Sequence, residues 1–121
     1  MKTLLIVDDE KPFVLSLKDG FGSYDSRLHV AVAFNGEEAL HYIMQHPVDL
    51  ILLDLKMPIM DGYELVERLK STGISVPIII MTAYGTPFRE RWAKAAGTVA
   101  YLEKPLDFTE LTHLLETHLD L

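Results

Sequence analysis

Five side chains carry the chemistry this chain can offer: Asp8, Asp9, Asp54, Thr82 and Lys104. They follow four apolar runs, and the sharpest case is Leu50-Ile51-Leu52-Leu53-Asp54, after which Pro58 and Gly62 force a turn. A charge that closes a buried strand is costly without a purpose. Three carboxylates converging on one edge repel one another. At ~4 Å and an effective dielectric near 20, each close pair costs on the order of 4 kcal/mol. A divalent cation removes that cost. The candidate ligands are all oxygens, with no cysteine in the chain and no histidine at these strand ends, and open oxygen sites favour Mg²⁺. Lys104 adds a point charge for a phosphoryl oxygen, and the Thr82 hydroxyl can hydrogen-bond another. Together these groups describe a phosphoryl-transfer site with Asp54 as nucleophile. Taken singly, Asp8 or Asp9 reads as a cap or turn residue, Lys104-Pro105 as a turn and Thr82 as a strand end. Their joint occurrence at four strand ends is what sets the structural readings aside.

The elements that must position them are legible in the apolar periodicity. Strands are expected over Thr3–Val7, Leu28–Phe34, Val48–Leu53, Pro77–Met81 and Val99–Leu102. Pro12 suits a first helical turn, Phe13, Leu17 and Phe21 recur at helical spacing, and Gly20 and Gly22 mark the end. Asn35 with Glu38 caps a second helix whose apolar face is Leu40, Ile43 and Met44, and Pro47 stops it. Asp61 with Glu64 caps a third, carrying Leu65, Val66 and Leu69 up to Gly73. Thr86 and Pro87 start a fourth that ends at Gly97. Asp107 and Glu110 cap a fifth with Phe108, Leu111, Leu115 and Leu119. Strand and helix alternate five times. Short connections then favour a parallel sheet with crossover helices on both faces and ligands at its carboxyl edge.

Composition narrows the function. The 121 residues predict one domain, 1–121, with a net charge of −7, which argues against direct nucleic-acid binding. The absence of cysteine excludes disulfides and thiolate sites, and is compatible with the expected cytoplasmic location. The start reaches Asp8-Asp9-Glu10 too soon for a signal peptide, and no apolar run approaches a membrane span. Other sites fail on spacing. Gly20-Phe21-Gly22 has Asp25 where a dinucleotide fingerprint needs its third glycine. His41/His46 and His113/His118 are five apart rather than the four that put two zinc ligands on one helical face.

The segments Val7-Asp8-Asp9-Glu10, Asn35-Gly36-Glu37-Glu38-Ala39-Leu40, Asp54 through Gly62, Met81-Thr82-Ala83-Tyr84-Gly85 and Tyr101-Leu102-Glu103-Lys104-Pro105 carry a family resemblance. In their order and spacing the chain resembles a receiver domain of a two-component response regulator, over essentially its whole length. The resemblance implies a flavodoxin-like α/β fold: a five-stranded parallel sheet of order 2-1-3-4-5 with five helices on both faces. It implies a phosphorelay switch rather than a turnover enzyme. Asp54 would take a phosphoryl group from a histidine kinase or histidine phosphotransfer protein, and the domain would assist its own phosphorylation and dephosphorylation. Asp9, Asp54 and the backbone carbonyl of Lys56 would bind Mg²⁺ directly and Asp8 largely through water, with Mn²⁺ able to substitute. Thr82 and Lys104 would contact the phosphoryl group. Thr82 and Tyr101 would relay the change to the face of the fourth helix, fifth strand and fifth helix, toward an output domain or downstream protein. Lys56 and Tyr84 resemble positions that tune phosphate lifetime, and Lys104–Pro105 is typically cis in the family.

Several readings stay open. Tyr84 either shields the acyl phosphate or is a surface tyrosine, and Ala83 is small either to admit the phosphoryl group or for packing. Phe88 and Trp92, at i and i+4, are either core or a partner surface. No lysine or arginine follows Lys104, and Val99 and Ala100 stand where many receivers carry acids. The salt-bridged dimer of those receivers is therefore not expected, while a homodimer on phosphorylation through other contacts stays open. Two further functions compete. One is a phosphate-independent interaction module. The other is an Mg²⁺-dependent aspartyl phosphatase of the haloacid-dehalogenase type, which would need a second aspartate where this chain has Lys56.

Overall fold

The structure, a computed structural model, describes residues 1–24 and 26–121. Asp25, weighed above against a dinucleotide fingerprint, lies outside the described residues. The strands are β1 (Lys2–Val7), β2 (Leu28–Ala33), β3 (Leu50–Asp54), β4 (Ile78–Thr82) and β5 (Ala100–Glu103). The helices are α1 (Lys11–Gly20), α2 (Gly36–Gln45), α3 (Gly62–Ser71), α4 (Pro87–Ala95) and α5 (Phe108–Leu119), with a short 3-10 turn at Gly22–Tyr24. All strand pairs are parallel, in the order β2-β1-β3-β4-β5. The expected fold is the observed one.

Side-chain alternation along the strands sorts the core into two layers. Leu5, Val7, Leu53 and Ile80 point to one face, where α2, α3 and α4 contribute Ala39, Ile43, Leu65, Leu69 and Ala93. Leu4, Ile6, Leu52 and Met81 point to the other, against Val14 and Leu17 of α1 and Leu111 and Leu115 of α5. Strands covered on both faces have no polar side to alternate with, which is why β1 and β3 read as continuous apolar runs.

The caps fall where the sequence places them. Asn35 Oδ1 accepts from the Glu38 backbone N–H at 2.9 Å. Glu38 reaches back one residue further than a simple capping box, taking the Phe34 N–H at 2.9 Å. Asp61 accepts from Glu64 N–H and Asp107 from both Thr109 and Glu110 N–H. Helix α1 has no side-chain cap; its second residue is Pro12, which lacks an N–H that a cap would otherwise satisfy.

Some expectations are corrected. Strands β3, β4 and β5 each run one residue further than expected, so Asp54 and Thr82 are strand residues rather than residues after a strand. Met44 is exposed: the buried stripe of α2 is Ala39 and Ile43, and Met44 lies a further ~100° round the helix. The Phe88/Trp92 stripe divides. Trp92 packs edge-on against Tyr63 with centroids 4.5 Å apart, while Phe88 is 66% exposed. Phe108 is half exposed, yet stacks on Phe21 at 5.4 Å. The Lys104–Pro105 bond is cis, as the resemblance implied.

Candidate functional site

The strand register decides which side chains meet at the carboxyl edge. Asp54 continues the series Leu50, Leu52 and therefore lies on the α1/α5 side. Asp8, after Leu4 and Ile6, and Lys104, after Leu102, continue the same layer from β1 and β5. Thr82 follows Ile78 and Ile80 and so belongs to the opposite layer, under α4. Parallel pairing holds the strand ends level. Beyond the strands, Asp8 N–H donates to the Ala33 carbonyl at 3.1 Å and Lys104 N–H to the Thr82 carbonyl at 2.8 Å.

The structure brings Asp8, Asp9, Asp54 and Lys104 together. One carboxylate oxygen from each aspartate lies within 4.8 Å of the others. Asp8 and Asp54 are buried and Asp9 is exposed, so the cluster is open on one side. Lys104 Nζ donates to Asp8 Oδ2 at 2.6 Å and to Glu10 Oε1 at 2.9 Å, and stands 3.9 Å from Asp54 Oδ2. Its ammonium also lies 4.4 Å above the Phe13 ring. Glu10 and Phe13 belong to the site although sequence reasoning assigned them no role in it. Glu10 could have been read from its place beside Asp8 and Asp9, whereas Phe13 was absorbed into the apolar stripe of α1.

Burial, and then the charge of Asp8, pushes the Asp54 carboxyl up to about 6, against the opposing pull of Lys104 and the backbone N–H groups of Leu55 and Lys56. Burial likewise raises Asp8, opposed mainly by the Lys104 hydrogen bond. Burial acts to lower Lys104, but its bonds to Asp8 and Glu10 and the nearby Asp54 outweigh it, so it is held above the usual lysine value. Three carboxylates against one lysine leave the cluster under-neutralised. An all-oxygen donor set, crowded enough to raise a carboxyl pKa and open on one side, fits a hard divalent cation that keeps solvent ligands.

The remaining residues take different positions. Thr82 is buried, but its hydroxyl oxygen accepts from Arg89 Nη1 and from the Tyr84 backbone N–H, each at 3.3 Å, with no bond to Asp54. Arg89 was not singled out in the sequence; only its place three residues after the Thr86 cap would have hinted at it. Tyr84 is 70% exposed, and its backbone carbonyl rather than its ring faces this network, accepting from Arg89 at 2.6 Å. Ala83 is exposed and lines, with Phe13, Lys104 and Phe108, a shallow depression beside the cluster. Among the described residues the buried Tyr101 hydroxyl has no close hydrogen-bond partner, and burial raises its pKa against the weaker opposing pull of the Thr86 backbone. The Lys56 side chain is exposed.

A doubly wound sheet of order 2-1-3-4-5, with an acidic pocket and a half-buried lysine at its switch-point edge, defines a class of small flavodoxin-like α/β domains. The family model of the response regulator receiver domain matches residues 4–116, and the chain belongs to that family. It is 34% identical over 118 residues to sporulation initiation phosphotransferase F of Bacillus subtilis, covering 98% of this chain and 94% of that protein. It is 34% identical over 119 residues to a probable cyclic di-GMP phosphodiesterase of Vibrio cholerae. That match covers 97% of this chain but only 26% of the relative, so the chain spans about a quarter of that protein's length. Among solved structures, the response regulator protein TrrA of Thermotoga maritima, in complex with Mg²⁺-BeF, superposes with a TM-score of 0.82 at 31% identity. The match covers 98% of this chain and all of that one. Domains of this family bind Mg²⁺ at an acidic cluster and work with histidine kinases or phosphotransfer proteins. Among the described residues, no helix is long and apolar enough to cross a membrane.

Proposed function

We propose that residues 1–121 form one receiver domain whose Asp54 accepts a phosphoryl group from a histidine kinase or histidine phosphotransfer protein. The observation that carries this reading is the under-neutralised cluster of Asp8, Asp9 and Asp54 with Lys104 Nζ 3.9 Å from the Asp54 carboxylate. In the transfer, an Asp54 carboxylate oxygen forms the new P–O bond as the P–N bond to the donor histidine breaks, and that electron pair returns to the imidazole. Asp9, Asp54 and the Lys56 carbonyl would hold Mg²⁺, with Asp8 acting largely through water. When bound, the ion offsets the charge that builds on the phosphoryl oxygens. Lys104 holds a positive charge against one of those oxygens. Releasing Asp8 and Glu10 to do so is the local rearrangement that phosphorylation would demand of it. Thr82 donates its hydroxyl to another, and Tyr101 repacks with it, carrying the change to the α4, β5 and α5 face. Lys56 and Tyr84 would tune access of water to the acyl phosphate. The domain assists the gain and loss of its own phosphoryl group and turns over no external substrate. Its output would be an attached or separate partner.

The test is intact-mass analysis after incubation with acetyl phosphate, with and without Mg²⁺, beside Asp54→Asn. One added phosphoryl group that needs both the metal and Asp54 is the expected result. No adduct at sampling times short enough to catch an acyl phosphate would overturn the reading and favour the phosphate-independent module.

A further inference from the structure

The two sides of this site are not engaged in the same way. Asp8, Asp9, Asp54 and Lys104 face one another, whereas the Thr82 hydroxyl is committed elsewhere. A hydroxyl oxygen has two lone pairs and one proton. Both lone pairs of Thr82 Oγ are in use: Arg89 Nη1 donates to one at 3.3 Å and the Tyr84 backbone N–H to the other at 3.3 Å. The same Arg89 nitrogen holds the Tyr84 carbonyl at 2.6 Å. Arg89 thus clasps the start of the β4–α4 loop at two points, from the first turn of a helix whose Thr86 cap receives Arg89's own backbone N–H at 3.1 Å. The tetrahedral geometry of the oxygen then fixes where its proton points. Strand register sets Thr82 on the α4 layer and Asp54 on the α1/α5 layer. To donate to an oxygen on Asp54, the hydroxyl must turn across the sheet edge and surrender at least one of the two bonds it accepts.

We infer that Arg89 is a positioning residue, a latch that holds the Thr82 hydroxyl on the α4 side and competes with the phosphoryl group for it. The inference rests on Asp54 being the phosphoacceptor. The latch is opened by competition for Thr82, whose hydroxyl cannot serve both the guanidinium fork and a phosphoryl oxygen in one rotamer. Opening it also frees the first turn of α4, the helix that carries exposed Phe88 and half-buried Trp92, so the site and that face share one contact. A ligand that requires an opened state binds more weakly in proportion to how rarely that state is populated. Removing the latch therefore tightens binding.

The experiment titrates beryllium fluoride in saturating Mg²⁺, followed by Trp92 fluorescence and checked by calorimetry. The variants are Arg89→Gln, Thr82→Ala, the double variant and Asp54→Asn, and thermal melts verify folding. Arg89→Gln is expected to lower the apparent Kd about 3- to 10-fold. In the Thr82→Ala background the same substitution is expected to change nothing, because the contested group is gone. Arg89→Lys, which keeps the charge but loses the fork, replaces Arg89→Gln if that variant does not fold. It is expected to tighten binding by a smaller factor. Unchanged or weaker binding in the arginine variant would overturn the latch, as would tightening that persists without Thr82. A wild-type protein that binds no beryllium fluoride, or binds it equally as Asp54→Asn, would overturn the phosphoacceptor reading itself and the latch with it.

Discussion

Asp54 sits where burial and a neighbouring carboxylate both disfavour its charge, and this sets a measurable pH dependence. Its folded pKa, about 6, lies above the ordinary 3.8. The folded state therefore holds a proton that the unfolded chain has already lost between those values. The stability Asp54 contributes is fully present below its unfolded pKa and is lost as pH rises through about 6. At about 1.4 kcal/mol for each pH unit, the loss attributable to Asp54 is on the order of 3 kcal/mol. Urea unfolding of metal-free protein from pH 4 to pH 7 should show this decline. Asp54→Asn should flatten it and be the more stable protein at pH 7. A variant clearly less stable at pH 7 would reject the crowded-carboxylate account.

At the scale of elements, the site depends on how closely the α2 and α3 starts approach the sheet edge. A Cβ on Gly62 would lie 2.5 Å from the Asp54 carbonyl oxygen and 2.9 Å from Leu55 Cα, so only a glycine lets α3 begin there. On Gly36 a Cβ would meet the Met60 carbonyl at 2.6 Å, which locks the start of α2 to the β3–α3 loop. Backbone on backbone has no flexible end to yield. Gly62→Ala is therefore expected to cost at least about 2 kcal/mol, comparable to overpacking a core, and to push Asp54 out of register with Asp8. Denaturant unfolding would register the first effect, and weaker Mg²⁺ binding by calorimetry the second.

Across the whole molecule, Lys104 ties the last strand to the first: its ammonium neutralises Asp8, which has no solvent exposure, at 2.6 Å. Breaking one side of a buried pair strands the other charge. Lys104→Met should cost about 3 kcal/mol in metal-free buffer, and Mg²⁺ should recover part of that loss by neutralising Asp8 in its place. Melts with and without the ion measure both. Equal destabilisation under the two conditions would show that packing, not charge, is what Lys104 supplies. The sequence by itself determined the alternation of five strands and five helices, because apolar runs and caps such as Asn35, Asp61 and Asp107 are local signals that act within a few residues. It also determined the chemistry of the edge, because Asp8, Asp54, Thr82 and Lys104 each fall at or just past a strand terminus. Which layer each faces was not legible: moving the end of a strand by one residue reverses the side of the sheet, and β3 and β4 each end one residue later than the pattern suggested. Packing also decided that Trp92 is tucked against Tyr63 while Phe88 stays exposed. The hold of Arg89 on Thr82 belongs to the tertiary structure as well, because a single hydrogen bond between a strand end and a helix start leaves no periodic trace in the chain.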